Sequence, residues 1–263
     1  MTTYSILFLA AVIPPIYLAY LIYQLDKIEK EPVRMLMKLF IIGALISIPV
    51  IFAETWGENF LYSNIFTSAM SERDITLYYF LENFLVVALV EEGFKFLALF
   101  FTTWNSKEFN YRFDAVVYAV VISLGFACLE NVLYVSSYGL SNAMFRAITA
   151  IPGHCIFGIY MGTFYDDAKE ASLRDKHGKC IFYLFVSLLV PVVLHGFYDF
   201  CVSVEDEYML IIFLVYIVLL DVIAIRNIKA IAREDELIRK KSYKSVSSSS
   251  FSSLADLNKN DDD

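Results

Sequence analysis

Seven apolar stretches, each about as long as a membrane-crossing helix, constrain this chain more than any other feature of its sequence. A helix needs about 20 mostly apolar residues to cross the core of a bilayer. In lipid the backbone must satisfy its own hydrogen bonds, and a helix does so within itself. We therefore predict an all-α, polytopic transmembrane helical bundle of about seven spans, at residues 4–25, 35–53, 78–103, 113–137, 143–165, 180–203 and 208–228.

The charges between these stretches predict an orientation. Lysine and arginine cluster after the first, third, fifth and seventh spans, as at Lys27, Lys107, Lys169 and Arg226. The alternate loops are acidic or neutral. Because cytoplasmic loops carry an excess of basic residues, the N-terminus is predicted outside and the C-terminus in the cytoplasm.

Two segments are too polar to cross a membrane. Residues 54–77 carry several carboxylates and are interpreted as an outer segment that holds a surface helix. The last residues are charged, then serine-rich at 245–253, and cannot bury enough apolar surface to fold. We predict a transmembrane protein domain at 1–228 and a disordered cytoplasmic tail at 229–263.

Ionisable residues lie inside the third apolar stretch, where lipid disfavours them. Glu91, Glu92 and Lys95 sit near its middle. Each costs roughly 2.5–3.5 kcal/mol at the centre of a helix inserted into a membrane. Such a helix needs polar partners on its neighbours or a water-filled cavity. Glu91 and Lys95 share one helix face, so Lys95 is placed to hold Glu91 ionised, while Glu92 points about 100° away.

Candidate partners for these charges occur in the next three spans. Glu130 lies in the fourth, His154 in the fifth, and His195 and Asp199 lie one turn apart in the sixth. Counted along the helices, the glutamates and histidines fall at similar depths, so they can meet in one layer. A lone membrane carboxylate is often structural, and a lone buried histidine often only packs. The shared depth favours a functional site.

Two local features predict how the helices meet. Gly158 and Gly162 form a small-xxx-small face that lets a neighbouring helix approach closely. Asp114, at the entry of the fourth span, is interpreted as a helix cap.

The chemistry open to these groups is hydrolysis by activated water. A carboxylate in a membrane cavity suits a general base, and histidine can polarise a carbonyl or bind a metal. The chain has no Gly-x-Ser-x-Gly and no His-Glu-x-x-His pattern. Water activated by glutamate remains, with or without a metal held by His154, His195 and a carboxylate.

Five motif blocks resemble the PrsW family, which is similar to the CAAX prenyl protease and bacteriocin-processing superfamily. They are the acidic-proline loop Asp26–Pro32, Glu-Glu-x-x-Lys at 91–95, Gly-Phe-Ala-x-x-Glu-Asn at 125–131, Pro-Gly-His at 152–154 and His-Gly-x-x-Asp at 195–199. Lys30 departs from the expected loop, where a proline is common. The resemblance spans roughly residues 20–205.

The resemblance implies a multi-pass protease of the bacterial cell membrane that makes the first, outer-side cut in a membrane-anchored anti-sigma factor. It implies catalytic roles for Glu91, Glu92, Glu130, His154 and His195. The expected partners are a single-span membrane protein substrate and membrane lipid, with no nucleic acid.

We assign the roles as follows. Glu91 or Glu92 is the base, and Glu130 is its partner. His154 and His195 stabilise the oxyanion or ligate a metal, with Asp199 orienting His195 and Lys95 balancing the charge of Glu91. The cofactor is none or zinc, and zinc would be held by His154, His195 and Glu130. A proton- or ion-coupled transporter that uses the same carboxylates is the main alternative, and a membrane scaffold with a decayed site is another.

Overall fold

The structure, a computed structural model, describes residues 3–66, 71–204 and 206–238. Almost all of them are helical. The helices are α1 (Thr3–Leu25), α2 (Val33–Asn64), α3 (Glu72–Leu81), a π-helical segment (Glu82–Ala88), α4 (Leu89–Thr103), α5 (Arg112–Ile148), α6 (Ala150–Leu173), α7 (His177–Ser203) and α8 (Glu207–Arg233). The described residues contain no β-strand, only an isolated bridge between Tyr111 and Leu237. The predicted all-α membrane bundle is confirmed.

Five helical stretches within the described residues are long and apolar enough to cross a membrane. They are Tyr4–Leu25, Val33–Asn64, Arg112–Leu173, His177–Ser203 and Glu207–Arg233, of which the third unites α5 and α6. The span expected at 78–103 is not among them. It is divided among α3, the π-helical segment and α4, and α4 carries the three intramembrane charges.

The first half of α5 is the centre of the bundle. Its residues from Phe113 to Cys128 are all buried. It packs against α1, α2, α4 and α6, while α7 lies on α6 and the π-helical segment, and α8 lies beyond α7. A helix that is apolar on every side must be surrounded by other helices. By contrast, α1, α2, α7 and α8 expose large apolar side chains to the surroundings, which in a membrane are lipid tails.

Small residues allow α5 and α6 to lie close together. A Cβ atom added to Gly162 would lie 2.5 Å from the Cα of Val116, and one added to Gly158 would lie 2.9 Å from the Cα of Val120. Real Cβ atoms do not come so near. The close approach predicted from the Gly158–Gly162 spacing is therefore confirmed.

Two helix ends differ from the expected positions. Helix α2 does not stop at residue 53 but continues to Asn64, because its later turns still offer apolar residues and Gly57 packs on Val86 of the π-helical segment. Helix α5 turns sharply at Gly139, whose φ of 80° suits glycine, and its last part ends at Ile148. As a result α6 begins at Ala150, later than the predicted fifth span.

Residues 234–238 pack against the start of α5. The amide of Ile238 donates to the carbonyl of Asn110 (2.8 Å), and Asp235 accepts from the amide of Phe113 (2.9 Å). Asp114 accepts from the amides of Asn110 and Tyr111, so its predicted capping role is confirmed. The expected domain boundary at 228 falls within α8, and the serine-rich part of the tail lies outside the described residues.

Candidate active site

The residues singled out in the sequence come from four helices that meet in the bundle. Glu91, Glu92 and Lys95 lie on the first turns of α4, directly after the π-helical segment. Glu130 lies on α5, His154 on α6, and His195 and Asp199 on α7. Short π-helical insertions often occur at functional sites, and this one precedes the two adjacent glutamates.

Lys95 lies at the centre of the group. Its Nζ is 2.9 Å from Glu91 Oε2, 2.8 Å from Glu92 Oε1 and 3.1 Å from His154 Nδ1. The ring of Phe126 covers the ammonium, with its centroid 4.2 Å from Nζ. The lysine side chain is 1% exposed, so its charge is balanced by these groups and not by water. The sequence predicted its pairing with Glu91, but not its contacts with Glu92 and His154.

The partners of His154 define its tautomer. The ammonium of Lys95 can only donate hydrogen bonds, so His154 Nδ1 must be the acceptor. The ring hydrogen then lies on Nε2 and is donated to Glu130 Oε2, 2.9 Å away. Both nitrogens of this histidine are therefore engaged with protein groups.

His195 lies among three carboxylates. Its Nδ1 is 2.9 Å from Glu92 Oε1 and 3.9 Å from Glu91 Oε2, and its Nε2 is 3.0 Å from Asp199 Oδ2. Phe157 stacks on the ring at a centroid distance of 4.9 Å. The two imidazoles are near neighbours, with centroids 5.2 Å apart. Asp199 thus lies at ion-pair distance from the ring nitrogen of His195 that points away from Glu92.

A cavity of about 280 Å³ borders this group. Of the residues singled out in the sequence, Glu91, Glu130, His154, His195 and Asp199 line it. Glu92 and Lys95 lie behind this wall, and Glu92 is 0% exposed. The two adjacent glutamates therefore have different surroundings: Glu91 faces the cavity, and Glu92 links Lys95 to His195.

Arg146, which the sequence reasoning missed, also lines the cavity. Its Nη2 is 2.8 Å from Glu130 Oε1, its Nε donates to Asn131 Oδ1 (3.1 Å), and its guanidinium lies 4.1 Å from the centroid of the Tyr134 ring. Residues 130 and 146 would lie about 24 Å apart on a straight helix. The turn at Gly139 brings them together. An arginine within an apolar stretch was the signal that could have revealed it.

Glu54 is a second residue that the sequence reasoning missed. It lies on α2, three residues before the close contact between Gly57 and Val86. It interacts electrostatically with Glu91 and Glu130, and its Oε1 is buried without a hydrogen-bond partner within the described part of the chain. Glu54 is not among the site residues predicted from the sequence, because residues 54–77 are interpreted there as a polar segment outside the membrane.

Four of these side chains could hold a metal ion. One ligand atom from each of Glu91, Glu92, His154 and His195 lies within 4.8 Å of the others. Carboxylate oxygens and imidazole nitrogens are zinc ligands, and Glu92 Oε2 is buried without a hydrogen-bond partner among the described residues. The types of ligand atom and their number, four, are therefore suitable for a divalent metal ion. Glu130, expected among the ligands, lies outside this group and contacts the opposite edge of His154.

Buried carboxylates and histidines around a cavity can activate water and stabilise an oxyanion, so the fold and the site are of the kind expected for an intramembrane hydrolase. The profile of the "PrsW family intramembrane metalloprotease" matches residues 31–225. The chain belongs to this family and is an intramembrane protease, a multi-pass protein of the bacterial membrane.

Curated relatives agree with this assignment. Protease PrsW of Oceanobacillus iheyensis is 34% identical over 87% of this chain and 97% of its own length. Protease PrsW of Clostridioides difficile is 35% identical over 81% of this chain and 86% of its own. Protease PrsW of Bacillus subtilis is 29% identical over 79% and 88%. No solved structure matches the chain.

Proposed function

We propose that this protease cuts a single-span, membrane-anchored protein by means of water activated by Glu91. The observation that carries the assignment is the position of Glu91, which lines the cavity while Glu92 lies behind it. The ammonium of Lys95 lies 2.9 Å from Glu91 Oε2 and gives this carboxylate a positively charged neighbour.

The reaction would proceed in two proton transfers. An O–H bond of a cavity water breaks, its proton passes to Glu91, and the oxygen attacks the scissile carbonyl carbon. The oxyanion is stabilised by the guanidinium of Arg146, which lines the cavity and has more N–H groups than its contacts with Glu130 and Asn131 use. When the C–N bond breaks, the proton passes from Glu91 to the leaving amine. Asp199 and Glu130 hold the two imidazoles in place.

A divalent metal such as zinc would be held by Glu91, Glu92, His154 and His195. When bound, it would supply a Lewis acid and lower the pKa of its water. Asp199 and Glu130, which lie outside this set of ligands, would still contact the two histidines.

We assign the substrate to the anti-sigma factors, cut first on the outer side. The resemblance to the PrsW family motivates the substrate class. The cavity wall extends to Val202 and Ser203 at the end of α7, and the following acidic loop is outside if basic loops face the cytoplasm. This orientation corresponds to seven crossings, of which α3, the π-helical segment and α4 together supply one.

Cleavage of tagged single-span membrane proteins by purified protease tests the proposal. The unaltered chain should release two fragments cut near the outer end of the span. Glu91→Gln should slow cleavage by about 10²–10⁴-fold, the usual contribution of a general base. Glu58→Gln, an exposed glutamate one turn beyond Glu54, is the control and should cut normally. Full activity of Glu91→Gln would rule out the assigned base.

A further inference from the structure

The ammonium of Lys95 occupies the place where a metal ion would bind. Three of the four candidate metal ligands, Glu91, Glu92 and His154, already contact its Nζ at 2.8–3.1 Å. These are hydrogen-bond distances, whereas zinc takes the same atoms at about 2.0–2.2 Å. The cluster thus surrounds a cation that the protein itself supplies, the ammonium of Lys95.

The ammonium and a metal cannot share these ligands. A ring nitrogen of histidine has one lone pair, and the lone pair of His154 Nδ1 is taken by Lys95. The other ring nitrogen of His154 carries its hydrogen toward Glu130. A divalent ion among the same atoms would also lie within a few ångströms of a buried positive charge. For these reasons one cation must leave before the other can enter.

We propose that Lys95 and a divalent metal are alternative occupants of one site, so that Lys95 must swing out before metal binds. The lysine acts as an internal competitor that keeps Glu91, Glu92 and His154 assembled without an ion. This inference concerns the binding of metal alone and stands apart from the identity of the substrate proposed above.

The arrangement predicts how metal affinity responds to the lysine side chain. Lys95→Met removes the charge while keeping the length and apolar stem, so the two glutamates lose their counter-ion and the lone pair of His154 becomes free. The affinity for Zn²⁺ should rise by about 100-fold or more, in line with the cost of breaking a buried ion pair. Lys95→Arg keeps the charge and should not produce this rise.

Competition with a chromophoric chelator, on full-length protein stripped of metal in detergent, measures this affinity with Zn²⁺ alone. A second substitution, Glu92→Gln in the Lys95→Met background, should abolish most of the gain if the ion binds in this cluster. Equal affinities of the unaltered chain and Lys95→Met would overturn the proposal, as would undiminished binding in the double variant or no binding in either.

Thermal unfolding provides a second readout for the case in which Lys95→Met purifies only with Zn²⁺. A ligand that binds the folded state stabilises it by RT ln(1 + L/Kd), where L is the free ligand concentration, so at one ligand concentration the tighter binder raises the unfolding temperature more. Zn²⁺ should therefore stabilise Lys95→Met more than the unaltered chain. Equal shifts in the two proteins would contradict an internal competitor.

Discussion

Adjacent residues in this site carry different duties. Glu91 faces the cavity, whereas the fully buried Glu92 accepts from Lys95 and lies 2.9 Å from His195. A buried ion pair that loses one partner leaves an uncompensated charge behind. We therefore predict that substitution of Glu91 lowers activity more than stability, and that substitution of Glu92 lowers stability strongly.

Glu92→Gln should lower the free energy of unfolding by about 3–5 kcal/mol, because Lys95 and His195 lose a common carboxylate. Thermal or denaturant unfolding in detergent would measure the loss. Glu91→Gln should cost clearly less stability, since Glu91 borders the cavity. Equal stability losses in the two variants would show that the glutamates are not divided in this way.

Arg146 fixes Glu130 and, through Glu130, His154. Arg146→Gln should lower the turnover number more than it changes KM, because Glu130 would lose its charged partner and move relative to His154. Arg146→Lys should restore part of the rate, as it returns the charge without the second hydrogen bond to Asn131.

Arg174 is the matched control for Arg146. It pairs with Glu170 at 2.6 Å, but at the surface, where the arginine side chain is 42% exposed. Exposed pairs contribute about 0–1 kcal/mol, so Arg174→Gln should leave both rate and stability nearly unchanged. A normal turnover number in Arg146→Gln would exclude the positioning role.

At the scale of elements, the contact between α5 and α6 depends on the absence of side chains. Gly162→Ala should destabilise the bundle by about 1–3 kcal/mol, since its new Cβ would meet the backbone of α5. Gly178→Ala, at the exposed start of α7, has nothing within 4 Å of the added atom. It should be neutral or slightly stabilising, because alanine favours helix more than glycine does. Unfolding curves of the two variants would distinguish these outcomes.

The loop between α1 and α2 contains a buried carboxyl group. Burial raises the pKa of Glu31 from its ordinary value of 4.5 to about 7, and the nearby Asp26 acts in the same direction. Between these pH values the folded chain holds a proton that the unfolded chain has lost. The protonated Glu31 thus contributes its full stabilisation to the folded state below pH 4.5, and this contribution is lost as the pH rises through about 7.

Raising the pH from about 5 to 8 should therefore lower the unfolding temperature by a few degrees. Glu31→Gln, which mimics the protonated acid, should show a smaller decrease. Glu29→Gln, an exposed neighbour in the same loop, should behave like the unaltered chain. An identical pH response in Glu31→Gln would assign the effect to other groups.

At the scale of the whole molecule, orientation can be tested by labelling. The native cysteines are buried, so single added cysteines can report accessibility. In intact cells Ile65→Cys should react with an impermeant thiol reagent, and Ser172→Cys should react only after lysis. The opposite labelling pattern would show that the bundle has the reverse orientation in the membrane, with the proposed cleavage site on the cytoplasmic side.

Much of this architecture could be predicted because the membrane penalises charge so strongly. The cost of Glu91, Glu92 and Lys95 in lipid indicated their buried positions, and helical rise placed His154 and His195 at a matching depth. Periodicity gives the face of a single helix, but not its rotation against its neighbours. The contact between Lys95 and His154 therefore could not be inferred. The proximity of Arg146 to Glu130 could not be inferred either, because it depends on the positive φ angle of Gly139.

The order of synthesis gives the charged helix α4 a further consequence. Ribosomes make α4 before α5, α6 and α7, which supply Glu130, His154 and His195. Until these emerge, three charges make stable partition of α4 into lipid costly. We expect α4 to remain at the translocon, or in the polar interface of the membrane, while the mostly apolar first half of α5 enters the lipid more readily. Membrane insertion of this protease would then be completed only when α7 is released, so that biogenesis and assembly of the active site become one event.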